Sequence, residues 1–426
     1  MRLRFLRVLS SPRRQLPRVS PLRAIHEVVT FWLAERRRAR QSLSALGIYT
    51  GVGLAAGMVL GAMEGALADK PGLLVLIPAA ISLRGAVFGT LGARLGTGML
   101  TGEVSLSRDR QSFTMQNMEA ALWLTVITSV LAAIAARGAA ALFDLTTIPL
   151  VDLVAISMLG SILSGALVLA VVVVLALTAQ RRQWDMDAIG APIITAAGDI
   201  TTLPALALAA ALVDLPKVAV VAGLLSLLGG AAAAVAGLFN RGAIVRRVAR
   251  ESLPVLVYMC MAGVLAGTVL QTRVATLVDD PALLVLIPPF IGLCGALGGI
   301  LSARLASSLH LGLLTPRPVP AKPAALEGSL TVLLAVLAFA AIGLLTHVAA
   351  LLSGLQSPGG LRILSVSLLG GVLAAVLLSG VAYYTAAASY RFGLDPDNYG
   401  LPVVSATMDF LGILCLIGAI GVVGLP

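Results

Sequence analysis

Two aspartates, Asp199 and Asp409, stand 210 residues apart, each about twelve residues into a long apolar run. At about 1.5 Å per helical residue, that depth lies near the midplane of a bilayer. A carboxylate there costs roughly 2.5–3.5 kcal/mol on insertion scales, and such groups usually face a bundle interior or a water-filled path. A single buried aspartate reads most simply as a hydrogen-bonding residue between helices. Two at matched depth point instead to a shared cation site. Thr195 and Ser405, one helical turn earlier on the same faces, add a matched pair of hydroxyls. Oxygen donors with no soft ligand among them suit a hard divalent cation, and a site with only two carboxylates suits Mg²⁺ held through its hydration shell. At the start of the same runs Asp185 and Asp187 in one copy match Asp395 and Asp397 in the other, where Asn398 follows. Such a cluster concentrates cations at a pore mouth, although Asp187 and Asp397 read equally well as helix N-caps. The metal-ligating candidates are therefore Asp199, Asp409, Thr195, Ser405, Asp187, Asp397, Asn398 and Asp395.

The elements that carry these residues are duplicated. Pro71 to Thr97 reappears as Pro281 to Ser307 with sixteen of twenty-seven positions identical and no gap, and Asp185 to Ile200 reappears as Asp395 to Phe410 at the same offset of 210. An ungapped match across two separated segments means a tandem duplication. The chain is 58% hydrophobic and 12% charged, with a mean hydropathy of +0.99, a balance that places it among polytopic membrane proteins. Long unbroken apolar runs exclude the alternation of a β-barrel, so the fold is all-α.

Eleven spans are expected. Five in the first copy lie near 43–66, 71–98, 118–142, 149–178 and 187–212; a sixth, 216–239, has no counterpart; five more lie near 254–272, 281–309, 326–352, 361–390 and 399–425. Two odd-numbered repeats joined directly would be inverted, whereas one added crossing makes them parallel, related by an axis along the membrane normal. The expected organisation is a basic cytoplasmic tail at 1–42, partly disordered through its prolines, a five-helix repeat at 43–212, a linking helix with a basic loop at 213–252, and a second five-helix repeat at 253–426. Eleven arginines precede residue 42, which puts the N-terminus inside by the positive-inside rule. The other inner loops then hold residues such as Arg108, Arg181, Arg247 and Arg317, while the outer loops hold only Lys70, Lys217, Arg273 and Arg362. The protein is read as a multi-pass protein of the cell membrane with its C-terminus outside. Its net charge of +10 reflects topology and contact with anionic lipid at the cytoplasmic face, with no nucleic-acid partner. Cys260, Cys294 and Cys415 lie within spans and read as packing residues; His26, His310 and His347 are scattered and show no transition-metal spacing.

The D-P-D-N-x-x-x-P element at Asp395, followed seven residues after Pro402 by Asp409, together with L-V-L-I-P-x-x-x-x-L-x-G in the second spans, resembles the membrane domain of MgtE-type magnesium transporters in the duplicated form typified by the solute-carrier 41 group. The resemblance covers nearly the whole chain after residue 43. It implies a pore at the pseudo-two-fold axis, with the pore aspartate of each half at Asp199 and Asp409. One chain would then suffice as a pseudo-dimer, and a homo-oligomer is compatible with that. Mg²⁺ would be cargo, with no permanently bound cofactor and no enzymatic role, and Na⁺ or H⁺ would be the coupling ion in an exchange mechanism. The chain departs from the family pattern at Ala86 and Ala296, where a pore-lining asparagine is common, and at Asp185-Met186-Asp187-Ala188, a degraded first motif.

Arg84, at mid-span where the second copy has Cys294, complicates the symmetry. It is expected either to pair with Asp199 or to act as a tethered cation on the path. The runner-up function uses it differently, in a secondary transporter of an anionic or organic substrate with proton-relaying aspartates. A non-transporting scaffold is disfavoured by the paired carboxylates.

Overall fold

The computed structural model describes residues 21–101, 103, 111–182, 186–215, 217–239, 243–393 and 400–425, and among them every regular element is helical. The order is α1 Pro21–Ala34, α2 Arg36–Ala62, α3 Glu64–Asp69, α4 Leu73–Leu100, α5 Phe113–Leu142, α6 Leu150–Arg182, α7 Met186–Val213, α8 Val218–Phe239, α9 Ala243–Gln271, α10 Val274–Asp279, α11 Pro281–His310, α12 Lys322–Leu352, α13 Gly360–Phe392 and α14 Leu401–Val423. The duplication is visible in the boundaries. The pairs α3/α10 and α6/α13 begin and end 210 residues apart, and α7 and α14 end 210 apart.

Ten of these helices are long and apolar enough to cross a membrane. Local chemistry sets their ends. Ser112 caps α5 by accepting the Met115 amide at 3.3 Å. Gly72, at φ 89°, opens α4 in a left-handed conformation, and a Cβ there would stand 2.6 Å from Thr147 Cγ2. Pro78, Pro254, Pro288 and Pro289 sit inside helices, and all but Pro254 are buried against neighbouring helices, as membrane helices tolerate. The second helix of each repeat, α4 or α11, is the most buried, with about two-thirds of its apolar window enclosed by protein, while the others turn more of theirs to lipid.

The repeats in sequence are not the packing units in space. The first helix of each copy leaves its own repeat: α2 packs on α11 and α12, and α9 packs on α4 and α5. Glycines make the crossing close. A Cβ on Gly57 would stand 2.1 Å from the Val285 carbonyl oxygen, and one on Gly267 would stand 2.2 Å from that of Val75. Gly53 meets Pro289 and Gly263 meets Ala79 in the same way, each contact being the other displaced by 210. These are small-residue crossings of the kind that let membrane helices approach at backbone distance. One end of each crossing is tied by an arginine: Arg94 donates to Ser252 at 3.0 Å and Arg304 to Ser42 at 3.3 Å, again equivalent pairs, with Arg304 also bridging Glu327 at 3.1 Å.

The equivalent short helices α3 and α10 touch each other. Equivalent ends of the two repeats therefore lie on the same side, and the repeats are parallel. With five crossings in each, parallel repeats call for one more crossing between them; α8, 22 residues with an apolar stretch at Val218–Ala233 shorter than those of the ten, lies between the repeats in sequence and packs on α6, α5 and α9. The expectation of partial disorder reaching Pro21 is corrected: α1 is helical from Pro21 and docks on α12 through Trp32 Nε1 to Ser329 Oγ at 3.1 Å and a Lys322–Glu27 ion pair at 2.6 Å.

Candidate cation site

The helices that carry Asp199 and Asp409 close the interface between the two halves. Helix α7 packs on α4 and α6 and reaches α2; α14 packs on α11 and α13 and reaches α9 and α4. Asp409, 4% exposed, accepts a 2.5 Å hydrogen bond from Ser82 Oγ of α4, so a hydroxyl of the first repeat serves the carboxylate of the second. Asp199 interacts with the hydroxyl of Tyr49 on α2. Tyr49 feels the charge of both carboxylates, and Asp199 feels that of Asp409, so all three groups share one neighbourhood.

Sequence reasoning missed Ser82 and Tyr49. At the equivalent positions of the second copy stand Gly292 and Met259, so neither residue carries a repeat signal. Gly292 has a positive role, because a Cβ there would stand 2.8 Å from Tyr49 Cε1 and displace the ring. Both hydroxyls that neighbour the carboxylates thus come from the first repeat, and the only cue available was polarity within an apolar span.

The structure brings Asp199 and Asp409 into one neighbourhood. It sets Thr195 and Ser405 against the glycines of the second spans: Thr195 lies 3.4 Å from Cβ positions at both Gly85 and Gly89, and Ser405 Oγ lies 3.1 Å from one at Gly295. Those glycines therefore admit the hydroxyl side chains and close the α4–α7 and α11–α14 contacts. Asp395, Asp397 and Asn398 lie outside the described residues, and Asp187 falls in the first turn of α7. Among the described residues no three or more His, Cys, Asp or Glu side chains converge. His310 and His347 spend ring nitrogens on Ala306 O and Ser357 Oγ, and the three cysteines are buried and free.

The expected Arg84–Asp199 pair does not form. Among the described residues no ion pair includes Arg84, and its guanidinium lies beside Phe88, 5.9 Å from the ring centroid, and beside Gly165 of α6. The cause is local. The stem runs past Gly198 of α7, where a Cβ would stand 3.4 Å from Arg84 Cγ, and the head enters a small polar cavity between α4, α5 and α6. Arg84 is accordingly no tethered cation between the aspartates.

The chain is similar to solute carrier family 41 member 3 of Mus musculus, 24% identical over 390 residues that cover 86% of this chain and 78% of that protein. It is similar also to solute carrier family 41 member 3 of Rattus norvegicus, at 23% over 393 residues covering 87% and 83%. No solved structure matches. The profile of the MgtE family, described as divalent cation transporter, matches twice, over residues 77–209 and 287–419. These stretches lie 210 residues apart and together cover more than half of the sequence, and the chain belongs to the MgtE divalent cation transporter family.

Proposed function

We propose that this protein moves Mg²⁺ across the cell membrane along a path at the pseudo-two-fold axis, with Asp199 and Asp409 together holding the hydrated ion. The observation that carries this reading is that carboxylates from equivalent helices share one electrostatic neighbourhood, each with a hydroxyl neighbour, Tyr49 or Ser82, at the interface of parallel repeats. Two carboxylates and neutral oxygen donors do not make the six-to-eight-ligand cage that a dehydrated Ca²⁺ takes, but they do suit an ion that keeps its water. Thr195 and Ser405, one turn away, hold that water rather than the metal. Asp187, Asp395, Asp397 and Asn398 raise the local cation concentration at the inner mouth. The competing reading, an anion carried past Arg84 with the aspartates as proton relays, loses its support because the guanidinium sits in a small cavity between α4, α5 and α6 and pairs with neither aspartate.

Purified protein in liposomes should take up Mg²⁺, with Co²⁺ and Ni²⁺ competing and organic anions without effect. Flux that follows an organic anion and ignores Mg²⁺ would sink the proposal. Repeating the uptake with and without Na⁺ and proton gradients separates a channel from an exchanger.

The arginine asymmetry further places Arg181 inside and Lys70 and Lys217 outside. Lys70, paired with Asp214 at 2.7 Å across the ends of two spans, belongs to that outer face. Single cysteines at residues 70 and 217 should react with an impermeant maleimide from outside intact cells, and one at residue 181 only after permeabilisation. The reverse pattern would turn the whole molecule over in the membrane.

A further inference from the structure

The polar cavity at Arg84 has no equivalent in the second repeat, and the difference between the halves says what it is for. We infer that the first repeat holds one monatomic anion of the chloride class, bound between the Arg84 guanidinium and the hydroxyls of Thr125 and Ser161.

Arg84 is 5% exposed, its Nε has no hydrogen-bond partner, and no carboxylate pairs with it among the described residues. A guanidinium does not lose its charge by deprotonation, and an uncompensated buried charge is strongly destabilising. The head opens into a cavity of about 10 Å³, room for a single small occupant. That size excludes organic anions and tetrahedral oxyanions.

The protons in the wall decide which occupant fits. Thr128 gives its proton to Leu124 O at 2.7 Å, Ser129 to Thr125 O at 2.5 Å and Ser157 to Ser129 O at 2.7 Å, so these hydroxyls have nothing left to donate. Thr125 Oγ1 is buried without any partner, and Ser161, on the same wall, is committed to no acceptor among the described residues. The unspent groups are thus donors beside a fixed positive charge. A water molecule would satisfy the donors and leave the charge uncompensated; a halide does both.

The second repeat serves as the internal control. Arg84 is replaced there by Cys294, Thr125 by Ala335, Ser129 by Phe339, Ala80 by Phe290 and Ser161 by Gly371. The Phe290 and Phe339 rings meet at 4.8 Å and fill the equivalent space, Phe339 lying so close to Gly371 that a Cβ there would stand 2.1 Å from its Cγ. The frame is otherwise the same, since Ser367 donates to Phe339 O at 2.6 Å as Ser157 donates to Ser129 O. Gly165, where a Cβ would stand 3.2 Å from Arg84 Nη1, becomes Ala375, and Gly198 becomes Met408. The charge, the room that admits it and the free donors are present together or absent together, as a ligand site requires and as ordinary packing does not.

The test uses the purified full chain without Mg²⁺, so its outcome is independent of transport. At constant ionic strength, replacing gluconate by bromide should raise Tm by about 1–2 °C for each tenfold increase above the dissociation constant. Thr125→Ala, which keeps the charge and copies the second repeat, should shift the bromide midpoint upward by roughly tenfold, the weight of one lost charge-assisted hydrogen bond. Arg84→Cys should abolish the response. Anomalous scattering should place bromide between Arg84 and Thr125. A Tm indifferent to bromide in the wild type, or a response that survives Arg84→Cys, overturns the site.

Discussion

Asp409→Asn should leave a folded protein whose Mg²⁺ flux into liposomes falls by about 30–100-fold, the kinetic equivalent of losing one charge-assisted contact. Asparagine has nearly the same volume as aspartate, and its side-chain oxygen can still accept the proton of Ser82, which bonds Asp409 at 2.5 Å. Stability should therefore change by no more than about 1 kcal/mol, the weight of one neutral hydrogen bond. Asp199→Asn should behave alike. If the two carboxylates share one ion, the double variant should lose little beyond either single one, since the second substitution removes half of a site that is already broken. Flux and thermal unfolding measured on the same preparations decide the matter: wild-type flux in well-folded Asp409→Asn protein would leave that residue a purely structural hydrogen-bond partner. A buried ion pair between Asp199 and Arg84 would add a stability cost to Asp199→Asn. The structure removes that cost, because Arg84 lies in its own cavity.

How far the sequence could be read depended on whether a residue left a mark in both copies. Asp199 and Asp409 were legible because a charge in an apolar run is expensive and here occurs twice at one depth. Parallel repeats were legible from an odd span count and the arginine bias, and the contact of α3 with α10 bears them out. Tyr49 and Ser82 were illegible by the same logic, since their equivalents are Met259 and Gly292 and the asymmetry erased the signal. Arg84 is expected from sequence to pair with Asp199 or to act as a tethered cation, and its guanidinium instead lies beside Phe88 and Gly165. Depth follows from counting residues along a span, whereas the side taken by a long flexible chain is set by where its neighbours leave space, here at Gly165 and Gly198. The exchange of α2 and α9 between halves escaped because adjacency in sequence suggests that each repeat packs on itself. Its signature was nonetheless present, in glycines at 53 and 57 that return at 263 and 267.

Those glycines carry the largest expected effect on stability. Gly57→Ala and Gly267→Ala would each place a methyl group 2.1–2.2 Å from a carbonyl oxygen, of Val285 and Val75 respectively. A carbonyl inside a helix cannot swing aside as a side-chain tip can, so the α2–α11 or α4–α9 crossing must open by an ångström or more. Overpacking of a tight contact costs about 1–3 kcal/mol, and here the displaced groups are whole helices, so each variant should stand at the upper end of that range. The consequence reaches function, because α2 also carries Tyr49, two turns from Gly57, and α4 carries Ser82, two turns from Val75. Opening either crossing pulls one hydroxyl away from its carboxylate. Gly51→Ala supplies the comparison, since nothing lies within 4 Å of a Cβ at that position. It should be neutral, or stabilising by up to about 1 kcal/mol through helix propensity. Thermal unfolding of the three variants in one detergent, with Mg²⁺ flux on those that reconstitute, tests the argument. If Gly57→Ala and Gly267→Ala melt with Gly51→Ala, the backbone contacts between the halves are not what holds the two aspartates together.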